Sequence, residues 1–319
     1  MPDPTSPFPR SIARPLAALS ASLLLTISAG ATEFTQTVSS GGTTTEWNDA
    51  IWGSPAAAPT SGNTYVSAAG LNTANSSSLG SANDLTGRVR AYGGSNGSPT
   101  FAGDSLTIVG GTELLLKDPT TYSVNLILNG GFLRFSPNTG GSATIGGTIN
   151  AAADSVIGVV QSGASNLTVN STFTGGANLR LAAGTGGSNS LIFSATSDFS
   201  AYTGTLDIGG GNTRVTVSFG AGDHDLSGAT LALDSAGAFG TSDILNLDGN
   251  VSVASFAFET QNLVVGTYSS ADLNTLFSTT RFTGVGSLTV SAIPESSTFA
   301  LLAGAAALGV YSLRRRHRR

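Results

Sequence analysis

His224 stands between Asp223 and Asp225, an arrangement that could hold a metal ion or act as a general base. Imidazole titrates near neutral pH and is a common metal ligand, but such a site needs further ligands. The other histidine, His317, lies in the C-terminal tail, and His224 follows the turn-like Gly220-Ala-Gly222. The spacing therefore predicts a solvated loop. Asp198 and Asp207 are nine residues apart and could flank one coil of chain, yet no base accompanies them. The remaining acids, among them Asp104, Asp118, Asp154, Asp234 and Asp243, fall mostly in turn-like contexts. Glycoside hydrolysis needs two carboxylates converging on one bond, and a lyase adds a Lys or Arg. No such set is legible, and neither a nucleophile elbow nor a Gly-Gly-x-Gly-x-Asp calcium repeat is expected. Gly284-Val-Gly286 reads as turn residues, because no helix follows as a dinucleotide site requires. The reading is a protein without catalytic residues, bound metal or cofactor.

Composition says what could carry any site. The chain has 319 residues, 40% of them hydrophobic and only 10% charged, with 42 glycines and no cysteine. Lack of cysteine excludes disulfides and thiolate zinc sites. The formal charge of −5 hides a segregation: residues 32–293 hold seven of the 14 basic and 17 of the 19 acidic groups, a body charge of about −10. A body so acidic, with Lys117 as its one lysine, cannot neutralise a phosphate backbone, so nucleic-acid binding is excluded.

Between residues 32 and 293 short alternating segments recur. Examples are Leu106–Ile108, Leu126–Leu128, Leu167–Val169, Leu191–Phe193, Leu206–Ile208, Val215–Val217 and Leu231–Leu233. Apolar–polar alternation marks strands with one buried face. Asn129-Gly-Gly131, Gly209-Gly-Gly211 and Asp248-Gly-Asn250 supply the turns between them. Corresponding strands return at a nearly constant interval, around Leu106, Leu126, Ile145 and Leu167. An interval of roughly 20 to 25 residues predicts an all-β fold, a parallel β-solenoid, each coil burying its inward residues on the next. An antiparallel β-sandwich is the alternative. Phe199-Ser-Ala-Tyr-Thr-Gly-Thr-Leu-Asp-Ile208 resembles the short repeat of autotransporter passenger domains, which implies a β-helix.

Two stretches depart from the pattern. Residues 46–66 hold both tryptophans, Trp47 and Trp52, and the loop Pro55 to Pro59. They are read as a cap over the first coil, with a carbohydrate-stacking platform as the alternative. Ser269-Ser-Ala-Asp272 is a capping box ahead of a short helix from Leu273 to Phe277, and Phe282 to Val290 reads as the last strand.

The ends read as addresses. Arg10 and Arg14 precede an apolar run, Leu16 to Ile27, that closes in Ser28-Ala-Gly-Ala31. Ala29 and Ala31 give the small-x-small pattern of a signal peptide, residues 1–31, cut by signal peptidase before Thr32. Residues 32–100 then form an N-terminal β region and cap, 101–291 the solenoid body, and 292–319 a C-terminal signal. In that last segment Pro294-Glu295-Ser296 precedes an apolar run, Phe299 to Leu313, and the basic block Arg314, Arg315, Arg316, His317, Arg318, Arg319. The run predicts a single transmembrane helix, and the arginines should stop it with the body exported.

This layout resembles the PEP-CTERM sorting signal of Gram-negative bacteria, with Ser296 in place of the second proline of its Pro-Glu-Pro core. The resemblance covers only the stretch from Pro294 to Arg319. It implies that Pro294, Glu295 and Ser296 are substrate for an exosortase-type enzyme at the inner membrane. A plain, uncut anchor is the alternative. The expected function is that of an exported structural or adhesive protein of the cell envelope or extracellular matrix. Its partners would be the two processing enzymes, the inner membrane and extracellular polysaccharide. The alternative is a carbohydrate-binding or polysaccharide-degrading solenoid module. Ice binding, suggested by similar tails, would need regular Thr-x-Thr ladders.

Overall fold

The computed structural model describes residues 31–40, 45–71, 85–93, 97–160, 163–184, 188–210, 213–234 and 243–291. Ala29, Pro294, Glu295, Ser296, Arg314, Arg315, Arg316, Arg318, Arg319, the signal peptide up to residue 30 and the expected transmembrane helix lie outside them, while Ala31 is described and exposed. Among the described residues no helix is long and apolar enough to cross a membrane.

The chain winds as a parallel β-solenoid with two main sheets. Sheet I contains β1 (Thr32–Thr35), β2 (Asn63–Val66), β4 (Ser105–Val109), β6 (Thr121–Asn129), β8 (Gly141–Ala153) and β10 (Ser165–Gly175). It continues through β12 (Asn189–Phe193), β15 (Val215–Phe219), β17 (Ile244–Leu247) and β21 (Phe282–Thr283), while β13 (Asp198–Tyr202) also pairs with β10. Sheet II starts with β3 (Gly87–Ala91), β5 (Thr112–Leu116), β7 (Phe132–Phe135), β9 (Ser155–Val159), β11 (Leu179–Ala183) and β14 (Thr205–Ile208). It ends with β16 (Asp223–Leu233), β18 (Asn250–Phe258), β22 (Ser287–Val290) and β20 (Gly266–Ser269), and β19 (Gln261–Asn262) pairs with β18. The parallel registers rule out the antiparallel sandwich: only β19–β18 and β20–β22 among the named strand pairs of the described residues run antiparallel.

Register follows the repeat. Leu167 is flanked by Ala143 and Leu191, and Leu126 lies beside Leu106, each neighbour coming from the adjoining coil. Inward positions of both sheets form one continuous core: Leu106, Leu126, Ile149, Leu167, Leu191, Val217 and Leu245 from sheet I, Leu114, Leu133, Ile157, Leu181, Leu206 and Leu231 from sheet II, all fully buried. Each coil thus covers the apolar face of its neighbour, since no single coil has a core of its own. Three aromatic clusters fill wider sections, one of them Phe256, Phe258, Phe277 and Phe282 on the last coils. Another joins Phe173, Phe193, Phe199 and Phe219, with Phe173 and Phe199 stacked at 4.4 Å.

The third cluster seals the first coil. Trp47 and Trp52, both essentially unexposed, pack edge to face on Tyr122 and Tyr65 respectively. Their indole N–H groups donate to the carbonyls of Ser98 at 2.8 Å and Trp47 at 2.9 Å. Burial removes both rings from any stacking platform, and their role is that of a cap. At the other end α1 (Ser270–Leu276) carries the expected capping box, with Ser269 and Asp272 side chains bonding each other's backbone N–H.

The expected last strand is two strands. β21 belongs to sheet I and β22 to sheet II, joined by a corner at Gly284-Val285-Gly286. Gly284 has φ of +92°, and a Cβ at either glycine would overlap backbone of the preceding coil, at Leu247 or Gly249. An uninterrupted strand was the wrong reading because alternation continues across a tight corner without marking it.

Candidate functional site

Sheet I presents rows of small polar side chains. One row runs Thr144, Thr168, Ile192, Ser218, Asn246, Thr283, and the next Ser142, Asn166, Ser190, Thr216, Ile244. Parallel in-register pairing stacks equivalent positions at the spacing of neighbouring strands, roughly 4.8 Å. Amides and hydroxyls therefore bond along the rows: Asn166 Nδ2 donates to Ser142 Oγ at 3.2 Å, and Thr283 Oγ1 to Asn246 Oδ1 at 2.9 Å. Neither row contains a charge. The rows mix Ser, Asn, Thr and Ile, so they are not the regular threonine ladder that ice binding requires.

Sheet II turns charge outward and then covers much of it. Glu113 on β5 is fully buried between Arg88 on β3 and Arg134 on β7. Arg88 Nε pairs with Glu113 Oε1, and Arg134 Nη2 donates to that same oxygen at 2.8 Å. Burial lowers the Arg134 pKa from its ordinary value, and Glu113 opposes that shift. Gln36 Nε2 and Ser40 Oγ donate to the Arg88 carbonyl at 2.9 and 2.7 Å, tying the N-terminal segment to this edge.

Further along sheet II is an open groove of about 380 Å³ lined by Gly130, Phe132, Asp154, Ser155, Val156, Asn178, Arg180 and Asp207. Register places Phe132, Val156, Arg180 and Asp207 side by side on four successive strands. Asp154 accepts from the Asn178 backbone N–H at 2.9 Å and its amide at 3.4 Å. Arg180 is half-buried; burial lowers its pKa and the neighbouring Asp207 raises it. The groove offers carboxylates, an amide and a guanidinium over an apolar floor of Phe132 and Val156.

Beside the groove, across Gly209 and Gly210, two carboxyls converge. A Cβ at Gly209 would meet Asp234 Oδ1 at 2.5 Å and Asp243 Oδ2 at 3.4 Å. Asp243 is buried; its Oδ1 accepts the Val215 N–H at 2.7 Å, and Oδ2 has no hydrogen-bond partner. Arg281 pairs with Asp234 Oδ2 and donates from Nε to the Asp243 carbonyl at 2.7 Å. Burial, reinforced by the adjacent Asp234, pushes the Asp243 carboxyl up to about 7, against the pull of the Val215 N–H and Arg281.

His224 is not in a solvated loop. It lies on β16, buried, at an inward position in register with Val251. Nε2 is 2.9 Å from the Gly220 carbonyl, which can only accept, so that nitrogen carries the proton. Its ring meets Phe219 edge-on at 5.3 Å. The strand starts at Asp223, directly after Gly222, and strand alternation sends residue 224 inward while Asp223 and Asp225 stay outside. Asp198 and Asp207 are likewise kept apart, on β13 beside sheet I and on β14 in sheet II. Asp198 is satisfied locally, its Oδ1 taking the Ser200 N–H at 3.0 Å. Among the described residues no group of three His, Cys, Asp or Glu is placed to hold a metal ion.

Thr32, the expected new N-terminus, is the first residue of edge strand β1, exposed, its N–H bonded to Asn63 Oδ1 at 3.3 Å. Two features escaped the reading of the sequence. The Arg88–Glu113–Arg134 set joins positions on three successive coils, and only the coil repeat could have aligned them. Gly93-Gly-Ser-Asn-Gly97 does carry Gly-x-Ser-x-Gly spacing, with Ser95 outside the described residues. An elbow needs a helix after the serine, and the next element is the strand β4. Comparison with protein-family models, with curated proteins and with solved structures finds no match.

Proposed function

We propose that this chain is an exported structural or adhesive protein of the cell envelope or extracellular matrix, sorted through its C-terminal signal. One observation carries the reading: in a body of charge about −10, sheet I exposes adjacent rows of hydroxyls and amides with no charge among them. An uncharged, hydrogen-bonding face of in-register rows suits contact with polysaccharide or another extended surface, where no single pocket is needed. Export follows from the sequence at both ends. Signal peptidase would cut between Ala31 and Thr32, and an exosortase-type enzyme would act at Pro294-Glu295-Ser296 while Arg314–Arg319 hold the chain in the inner membrane. The role is non-catalytic and needs no metal or cofactor.

The test is adhesion of the exported protein to purified matrix polysaccharide. Thr168→Lys with Thr216→Lys should abolish it while the far-ultraviolet circular dichroism stays unchanged. Undiminished adhesion would refute the assignment to sheet I. Processing is checked by replacing Pro294 and Glu295 with alanine, which should leave full-length protein in the membrane fraction.

A second reading is a carbohydrate-binding module acting through the groove of sheet II. Arg180, Asp207, Asp154 and Asn178 over Phe132 and Val156 favour it, since vicinal hydroxyls of a sugar match carboxylate and guanidinium pairs. A glycan array on the exported protein and on Arg180→Ala separates the two readings. Glycan binding lost in this variant alone selects the groove.

A further inference from the structure

Among the described residues the large hydrophobic side chains left exposed are Val38, Val264, Val265, Leu276 and Val285. Four of the five sit on the last coil. Val264 and Val265 link β19 to β20, the outermost strand of sheet II, and Val285 is the tip of the β21–β22 corner. Leu276 ends α1, the helix that packs against β20 and β21. Val285 is 95% exposed and Val264 72%.

Solenoids end in polar or capped surfaces, because an open last coil is an aggregation hazard. The first coil obeys this rule, sealed by Trp47 and Trp52. The helix α1 covers the last coil with the buried Leu273 and with Phe277 against Phe256, Phe258 and Phe282, so the exposed valines lie outside that cap. Corners inside the stack are built from Gly, Asn and Asp, as at Asn129-Gly-Gly131 and Asp248-Gly-Asn250. A valine at the Gly284–Gly286 corner and a Val-Val pair at the β19–β20 turn depart from that usage. By the β20–β22 register Val265 lies near one end of β22 and Val285 near the other, so the last coil offers exposed aliphatic side chains at separate points along its length.

What meets these side chains follows from where the chain goes next. Ser291 still donates its N–H to the Val253 carbonyl at 3.0 Å. Residues 292–298 then separate it from the apolar run Phe299–Leu313 and the arginine block. Seven residues, even fully extended, reach only about 25 Å. If the run enters a bilayer, the last coil stands at its surface. Asp272 and Glu259, both exposed on this coil, and the acidic body as a whole disfavour anionic headgroups.

We propose that the last coil is a membrane-contact face, with Val264, Val265, Leu276 and Val285 seated among zwitterionic headgroups in the uncleaved precursor. The proposal rests on the reading of residues 299–313 as a membrane segment. The absence of cysteine allows a clean test. Single cysteines replace Val265, Val285 or, as control, Val38 in the chain from Thr32 to Arg319, where the apolar run Leu16–Ile27 cannot carry it to the bilayer, each bearing an environment-sensitive fluorophore. The chain is mixed with phosphatidylcholine vesicles bearing a headgroup-region quencher. Labels at 265 and 285 should be quenched at least threefold more than the label at 38. Protein that floats with the vesicles while labels at 265 and 285 behave like 38 overturns the contact face and leaves the membrane segment standing. Protein that does not float overturns both.

Discussion

Sheet I and sheet II share one core and one repeat, yet they treat their outer faces in opposite ways. Sheet I leaves most of its Ser, Thr and Asn rows partly open to water and bonded along the row, with Asn246 also reaching Asp248. Sheet II places Arg88, Glu113 and Arg134 at outward positions, buries them, and leaves the groove of Asp154, Arg180 and Asp207 alongside. The inward residues of both are mainly Leu, Ile, Val and Phe. The difference teaches that a solenoid's stack fixes its core once and leaves each face free to vary. Stability should therefore be sensitive to side-chain chemistry on sheet II and to backbone geometry on sheet I.

The sharpest break of that comparison is Glu113→Gln. It leaves two buried guanidiniums without a carboxylate, and loss of one partner from such a cluster costs about 3–5 kcal/mol. Chemical denaturation should show it as a large fall in midpoint, whereas replacing all three residues by Met, Leu and Met should restore most of the loss. If Glu113→Gln is nearly neutral, the cluster is not the strut of sheet II.

Next in size is a pH effect at Asp243. Its carboxyl is raised to about 7 in the fold, against an ordinary value near 4. The folded chain therefore binds this proton more tightly than the unfolded chain does. Stability from this group is full below about pH 4 and is lost as pH rises toward 7, on the order of 2 kcal/mol. Asp243→Asn mimics the protonated acid, so thermal melts of this variant across pH 4–7 should be flatter than those of the parent. Equal slopes would sink the account of Asp243 as a carboxyl raised by burial.

On sheet I the vulnerable point is Gly147, with φ of +102° and no room for a Cβ beside the Val124 carbonyl. Gly147→Ala should cost roughly 1–3 kcal/mol through backbone strain, read as a lowered melting temperature. The smallest effect is Thr168→Ala, an outward side chain in an exposed row, within about 0.5 kcal/mol in the same assay. A loss as large as that of Glu113→Gln would show that the two faces are not different after all.

Strand positions were legible because Leu-x-Leu alternation and Gly/Asn turns act locally, and the regular return of the pattern placed them in a stack. What the sequence hid is non-local. Glu113 looks like a solvated strand residue until Arg88 and Arg134 are brought beside it from neighbouring coils. His224 looks like part of an acidic loop, because only the register of β16 against β18 decides that it points inward. Asp234 and Asp243 flank the segment 235–242, and their convergence over Gly209 depends on the pairing of β14 with β16 from the next coil, which no periodicity reports. The groove draws on four strands for the same reason.

The tryptophan cap has one more consequence. Both indoles of the chain lie within the first coil, so emission excited selectively from tryptophan observes that coil and not the others. In a stack where each coil touches only its neighbours, melting need not be simultaneous along the axis. Emission and circular dichroism then become two clocks at different places. Coincident curves would mean the whole rod unzips as one unit. An emission change arriving last would mean that the valine-bearing end frays first and the tryptophan-sealed end holds.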